Sequence, residues 1–234
     1  MVITDDEHRI RVALELNALH ATGAFGDLLE GAQIGSETPI YDLHGTKLYE
    51  RIPLTGESLA GYADVAVDPA MGAVLLAFDL EHKWDEASLV KQARRALSRH
   101  LAPGSRDPDH ARFIAFSYPK LAVQLLAGDQ ELALLELGSW RTVPPERERA
   151  PNEMPSFFER WSYLDNHPYP EQLSVKRQTF EARVREIEAI PGRHRLALDR
   201  ITRAEFANLA NLGRGGDEGG GGSVRSGGRG TGDG

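Results

Sequence analysis

The most apolar stretch of the chain is residues 113–140, FIAFSYPKLAVQLLAGDQELALLELGSW. Two apolar runs within it, 121–127 and 131–137, flank Gly128-Asp129. Such a pair joins antiparallel strands, because glycine accepts positive φ without a steric penalty. The pattern predicts a hairpin at the centre of a sheet, with Gln124, Glu131 and Glu136 facing solvent. Residues 112–118 supply a further strand, ended by Pro119.

Upstream, 40–43 and 47–52 read as strands joined at His44-Gly45, with Pro53 marking an end or an edge. Residues 61–67 (GYADVAV) and 73–80 (AVLLAFDL) form a second hairpin around a turn from Asp68-Pro69 to Gly72. The near-continuous apolar run 73–80 reads as a strand buried on both faces. Residues 85–101 carry the clearest helical stripe: Leu89, Ala93, Leu97 and Leu101 recur every four positions, with Val90 beside them. Asp85 and Glu86 open that helix and Arg94, Arg95, Arg99 and His100 lie towards its end, an order that complements the helix dipole.

The flanks are helical. Thr4-Asp5-Asp6-Glu7 fits a capping box, followed by Ile10, Ala13, Leu14, Asn17, Ala18 and Ala21 near one face. After Trp140 the pattern changes: residues 143–155 hold four prolines and the charge run ERER, which places a boundary there. Residues 156–163 (SFFERWSY) read as a short aromatic helix. Pro170 starts a helix running to about residue 190, with Leu173, Phe180, Val184 and Ile187 as a narrow seam. That seam serves either a partner helix or a fold back on the body. Residues 194–200 are ambiguous, and Thr202-Arg203-Ala204-Glu205 predicts a last helix to Leu212.

The expected fold class is therefore α+β, an antiparallel sheet of about six strands with a long helix on one face. Three regions follow: an α+β domain with its N-terminal helix (1–143), a helical extension (144–212) and a glycine-rich tail (213–234). The tail holds half of the chain's 24 glycines and almost no apolar side chain, a composition that predicts disorder.

Charge narrows the function classes. Net charge is −8, from 35 acidic and 27 basic residues. That balance argues against a general nucleic-acid binder and against tight binding to anionic membranes. With no cysteine, the chain has no disulfide, thiolate ligand or cysteine nucleophile. The acidic start MVITDDEHRI does not read as a signal peptide and no apolar run is of bilayer length, so the expected location is the cytoplasm.

The chain shows no G-x-S-x-G, P-loop or H-E-x-x-H, so no catalytic residue, cofactor or cofactor site is assigned. Asp79, Glu81, His82 and Asp85 combine hard oxygen and imidazole donors that suit a divalent cation. Strand-end polarity and a helix cap explain the same four residues without a metal. Asp107, Asp109 and His110 offer an acid/base pair or a solvated loop. Ser117 and Ser139 have no sequence feature that activates them, and a triad can be assembled on paper from any chain with eight histidines. Phe157, Phe158, Trp161 and Tyr163 form either a binding surface or the anchor of the helical extension, and burial is the commoner use of large aromatics.

GYADVAVDPAMGAVLLAFDLEHKWDEASLV resembles the hairpin of propeptide domains in streptopain-type, papain-like cysteine proteases. The matching positions are Gly61-Tyr62, Val65-Ala66, Asp68, Val74-Leu75, Ala77-Phe78, Trp84 and Asp85, and FSYPKLAVQLL resembles a later strand pair. The resemblance covers residues 40–140. It implies an antiparallel sheet with a packed helix that covers a protease cleft, acting in trans as an inhibitor or folding assistant. The leading expectation is a non-catalytic, protein-binding or regulatory domain whose partner is another protein. The alternatives are a hydrolase of unrecognised family and a carrier with a functional or processed glycine-rich tail.

Overall fold

A computed structural model of the chain describes residues 5–23, 25, 27–99, 106–147, 153, 156, 158–165, 167, 169–202 and 207. Among them are three α-helices and eight β-strands in one sheet. The helices are α1 (Asp5–Ala21), α2 (Glu86–Ser98) and α3 (Pro170–Glu188). The strands are β1 (Gln33–Ile34), β2 (Thr38–Tyr41), β3 (Lys47–Thr55), β4 (Ala60–Ala66), β5 (Leu75–Asp79), β6 (His110–Ala115), β7 (Leu121–Ala127) and β8 (Gln130–Glu136). The expected α+β class holds, but the sheet is larger than about six strands. It is also mixed: order β5-β4-β3-β2-β6-β7-β8, with β1 beside β3 and one parallel pair, β2 with β6.

The turn chemistry read from sequence is present. Gly128 (φ +58) and Asp129 close the β7–β8 hairpin between Ala127 and Gln130. Asp68 caps a short 3₁₀ turn over Pro69–Met71, which ends at Gly72 with φ +89. The placement differs. The β7–β8 hairpin lies at one end of the sheet, and β3, β2 and β6 hold the middle. At the other end, β5 pairs only with β4 and is half-buried except at the exposed Ala77, not buried on both faces.

Pro53 lies inside β3, not at its end. A strand residue directs its N–H and C=O to the same side, and the Pro53 carbonyl accepts from Gly35 N at 2.8 Å. The missing donor therefore faces the gap where β1 has ended and β2 has not begun.

Alternation along β3 sets the two faces. Glu50 meets His8 of α1 on one face, while Arg51 meets Trp84, just before α2, on the other. The stripe Ala93 and Leu97 buries α2 on the sheet. On α3, Leu173, Phe180, Val184 and Ile187 are all buried. The seam thus folds back on the body, where α3 packs against the Pro69–Met71 turn and α1. Residues 194–200 also resolve: Ile34 N donates to Asp199 O at 2.7 Å and Ile201 N to Ala32 O at 2.9 Å, laying this segment along residues 31–34.

The described residues of this stretch, 156 and 158–163, do not form a helix. Trp161 and Tyr163 are buried and anchor this segment, whereas Phe158 is 83% exposed. The capping boxes at Thr4 and Thr202–Glu205, the last helix, Phe157 and the tail lie largely or wholly outside the described residues.

One close approach fixes the β4–β5 edge. A methyl on Gly61 would overlap the Asp79 carbonyl oxygen and lie 2.8 Å from Leu80 Cα, both backbone. Gly61→Ala is expected to destabilise the protein by about 1–3 kcal/mol or more, because the β5 backbone must move. Urea unfolding measures this, and an unchanged midpoint would contradict the packing of β5.

Candidate functional site

The four metal candidates do not converge. Asp79 Oδ1 accepts from the backbone N–H of Glu81 (2.8 Å) and His82 (2.9 Å), and Asp79 Oδ2 lies 2.8 Å from His82 Nδ1. Those contacts, led by the Glu81 N–H, hold the Asp79 carboxyl below its usual range. Asp85 caps α2 by accepting from Ser88 N at 3.0 Å. Among the described residues no group of three or more histidine or acidic side chains is arranged to hold a metal ion.

The other sequence candidates are spent on structure. Asp109 accepts from Gly128 N at 3.1 Å, tying the loop before β6 to the β7–β8 turn, and His110 is exposed. Ser117 is buried with φ +46, and its Oγ accepts from Trp161 Nε1 at 2.8 Å. Ser139 donates to Glu136 at 2.7 Å. Neither hydroxyl bonds a histidine.

Several side chains that the sequence did not single out carry the buried chemistry. Arg51 forms a two-pronged pair with Asp64, Nε to Oδ1 and a terminal nitrogen to Oδ2, both 2.7 Å. Its guanidinium sits 3.8 Å from the Tyr62 ring centre and 4.6 Å from that of Trp84. Burial opposes the charge on Arg51, and the hydrogen bonds and charge of Asp64 outweigh it, raising the pKa. Tyr49, beside them, is pushed well up, mainly by burial. The two charges face each other directly across β3 and β4. Counting back from the 55–60 turn gives that register, so this pair was within reach of the sequence.

On the opposite face, Gln124 is buried and not solvent-facing. It accepts from Arg112 Nε (2.9 Å) and donates to Glu131 (2.6 Å), which also pairs with Arg160 at 2.9 Å. Asp42 is buried too, and its carboxylate accepts from the Ser162 hydroxyl and from Tyr163 N (2.8 Å). These contacts strap residues 160–163 onto the sheet.

A third cluster joins Tyr163 to α3. Lys176 Nζ donates to the Tyr163 hydroxyl at 2.6 Å, and that hydroxyl donates to Ala70 O at 3.2 Å. Burial lowers the pKa of Lys176 and, with Asp68, pushes Tyr163 up to about 12. His167 stands edge-on to the Tyr163 ring, 5.0 Å between centres. Both polar atoms are occupied within the fold.

The pair of Glu50 with α1 gives a pH test. Burial alone would raise the Glu50 pKa, but His8, 2.6 Å away, and Lys47, 2.8 Å away, bring it from 4.5 to about 2. A depressed carboxyl contributes stability that is present above its unfolded pKa and lost as pH falls through the folded one. The stability gap between wild type and Glu50→Gln should shrink between pH 4.5 and 2. Urea midpoints across that range measure it, and parallel curves would contradict the pairing.

Besides a concavity of about 650 Å³ bordered by Arg11, Pro69, Phe180, Val184 and Glu188, two others are open. One, of about 510 Å³, lies where the parallel strands β2 and β6 diverge, and is bordered by Thr38, Tyr41, Glu86, His110, Arg112 and Asp129. Two of its charged groups have structural partners: Glu86 accepts from Thr38 at 2.8 Å, and Arg112 is held by Gln124. The other, of about 950 Å³, runs along the outer face of α2 to Asp107 and Pro108. Ala87, Val90, Lys91, Arg94, Arg95 and Ser98 share that face by their spacing of three and four. In the sequence, Arg94 and Arg95 read only as complements to the helix dipole. The second stripe was the signal for a surface.

No protein-family model, curated protein or solved structure matches the chain. The fold and its surfaces define an α+β protein with a mostly antiparallel sheet and a groove along α2 that bears Lys91, Arg94 and Arg95. Among the described residues no helix is long and apolar enough to cross a membrane.

Proposed function

We propose that this chain is a non-catalytic, protein-binding or regulatory domain, and that its partner protein docks along α2. One observation carries this. The buried charged side chains are bonded inside the fold, while a concavity of about 950 Å³ presents Lys91, Arg94 and Arg95 on an open helix face. Catalysis needs titratable groups aimed at a shared reacting atom, and the α2 groove instead offers an extended contact surface. An inhibitor-like role towards a papain-like cysteine protease is one form of this function. The GYADVAV hairpin and the helix on the sheet support that form, and inhibition of such a protease by the full chain tests it.

Affinity capture with the full chain and with a Lys91→Glu/Arg94→Glu/Arg95→Glu variant tests the proposal. A partner retained by the wild type and lost by the variant is expected. Identical captures would remove α2 as the docking surface. The cleft at β2 and β6 supports a second reading, a hydrolase using His110, because His110 and Arg112 border one concavity. A hydrolytic activity lost in His110→Ala would favour that reading.

A further inference from the structure

We infer that the α2 groove takes an acidic segment of the partner protein, one that alternates carboxylates with small apolar side chains. The inference rests on the binding role proposed above and adds the chemistry of the occupant. Lys91, Arg94 and Arg95 are exposed on one face, and none forms an ion pair among the described residues. Two carboxylates, Glu86 and Asp107, also border the groove, against Lys91, Arg94 and Arg95 on the helix face and Arg99 at its C-cap. This cationic stripe belongs to a chain whose net charge is −8, so it is a local reversal of sign. Such a patch attracts a compact anionic segment and raises its rate of encounter.

The floor of the groove selects among anions. Ala87, Val90 and Pro108 are apolar, and Val90 is only half-buried. A peptide can place carboxylates over the cations and small apolar groups on that floor. The groove follows a helix of 13 residues, roughly 20 Å long at the usual rise. The acidic remainder of the chain repels a longer polyanion that would extend past it. These features favour an acidic peptide over a nucleic acid.

A random-peptide display selection on the full chain tests this, followed by titration of the enriched peptides and of a single-stranded oligonucleotide of similar length. Acidic, apolar-spaced peptides are expected to be enriched. The Lys91→Glu/Arg94→Glu/Arg95→Glu variant should bind them at least about tenfold more weakly, since each exposed pair contributes a few-fold. Raising salt from about 50 mM to about 500 mM should weaken binding to the wild type further. Circular dichroism of the variant confirms that it is folded. Enrichment of neutral or basic peptides that still depend on α2 overturns the acidic occupant and leaves the binding role standing. Tighter binding of the oligonucleotide overturns it in favour of a nucleic acid. Enrichment of no peptide at all overturns both.

Discussion

Arg51→Ala is expected to destabilise the protein by about 3–5 kcal/mol, the range for breaking one side of a buried ion pair. The side chains of Arg51 and Asp64 are only 11% and 10% exposed. Alanine would leave the Asp64 carboxylate beside Tyr49 and Tyr62 with its two 2.7 Å donors gone. It would also remove the planar cation lying against the Tyr62 and Trp84 rings. Arg51→Lys should recover only part of the loss, because an ammonium lacks both the fork and the flat face. The double replacement Arg51→Met/Asp64→Leu should recover most of it, since no charge is then left unpaired. Urea unfolding of the four proteins decides the matter. A loss below about 1 kcal/mol in Arg51→Ala would place the pair in the class of exposed salt bridges.

Trp161→Ala is expected to cost about 3–5 kcal/mol, the range for deleting a large buried aromatic. Trp161 is 4% exposed and its indole N–H fixes Ser117 Oγ at 2.8 Å. Its carbonyl also accepts from Ser117 N at 3.3 Å, so the two residues grip each other at a backbone position with φ +46. The next two residues hook onto Asp42. Trp161→Phe keeps most of the apolar area and loses the hydrogen bond, so its cost should be nearer 1–2 kcal/mol, about that of one hydrogen bond with part of its packing. Equal losses in both variants would show that the indole N–H carries the effect. A small loss in both would show that residues 158–163 are peripheral.

The sequence disclosed what is local and concealed what depends on pairing. Gly128-Asp129, the Asp68–Gly72 turn, the Ala93/Leu97 stripe and the Pro170 start are each set by a few neighbouring residues, and all are found. Strand order is different. An apolar run such as LLAFD has the same composition at an edge as in the middle, so β5 read as doubly buried. Gln124 read as solvent-facing because polar residues usually are. Its burial depends on Arg112, Glu131 and Arg160, which come together only once the strands are in register and residue 160 is strapped across them. The parallel contact of β2 with β6 joins residues more than 70 positions apart, Ile40 with Phe113. It separates the strand ends that border the smaller cleft. For the α2 groove the residues were legible as a helix, but their outward stripe became a surface only when Leu97 and Ala93 fixed which side faces the sheet.

Hydrogen–deuterium exchange of the full chain, alone and with the protein it captures, tests the central claim most directly. Slowed exchange is expected across α2 and at residues 107–108, with the β2–β6 cleft unchanged. Slowed exchange confined to that cleft, or none on α2, would contradict docking along the helix.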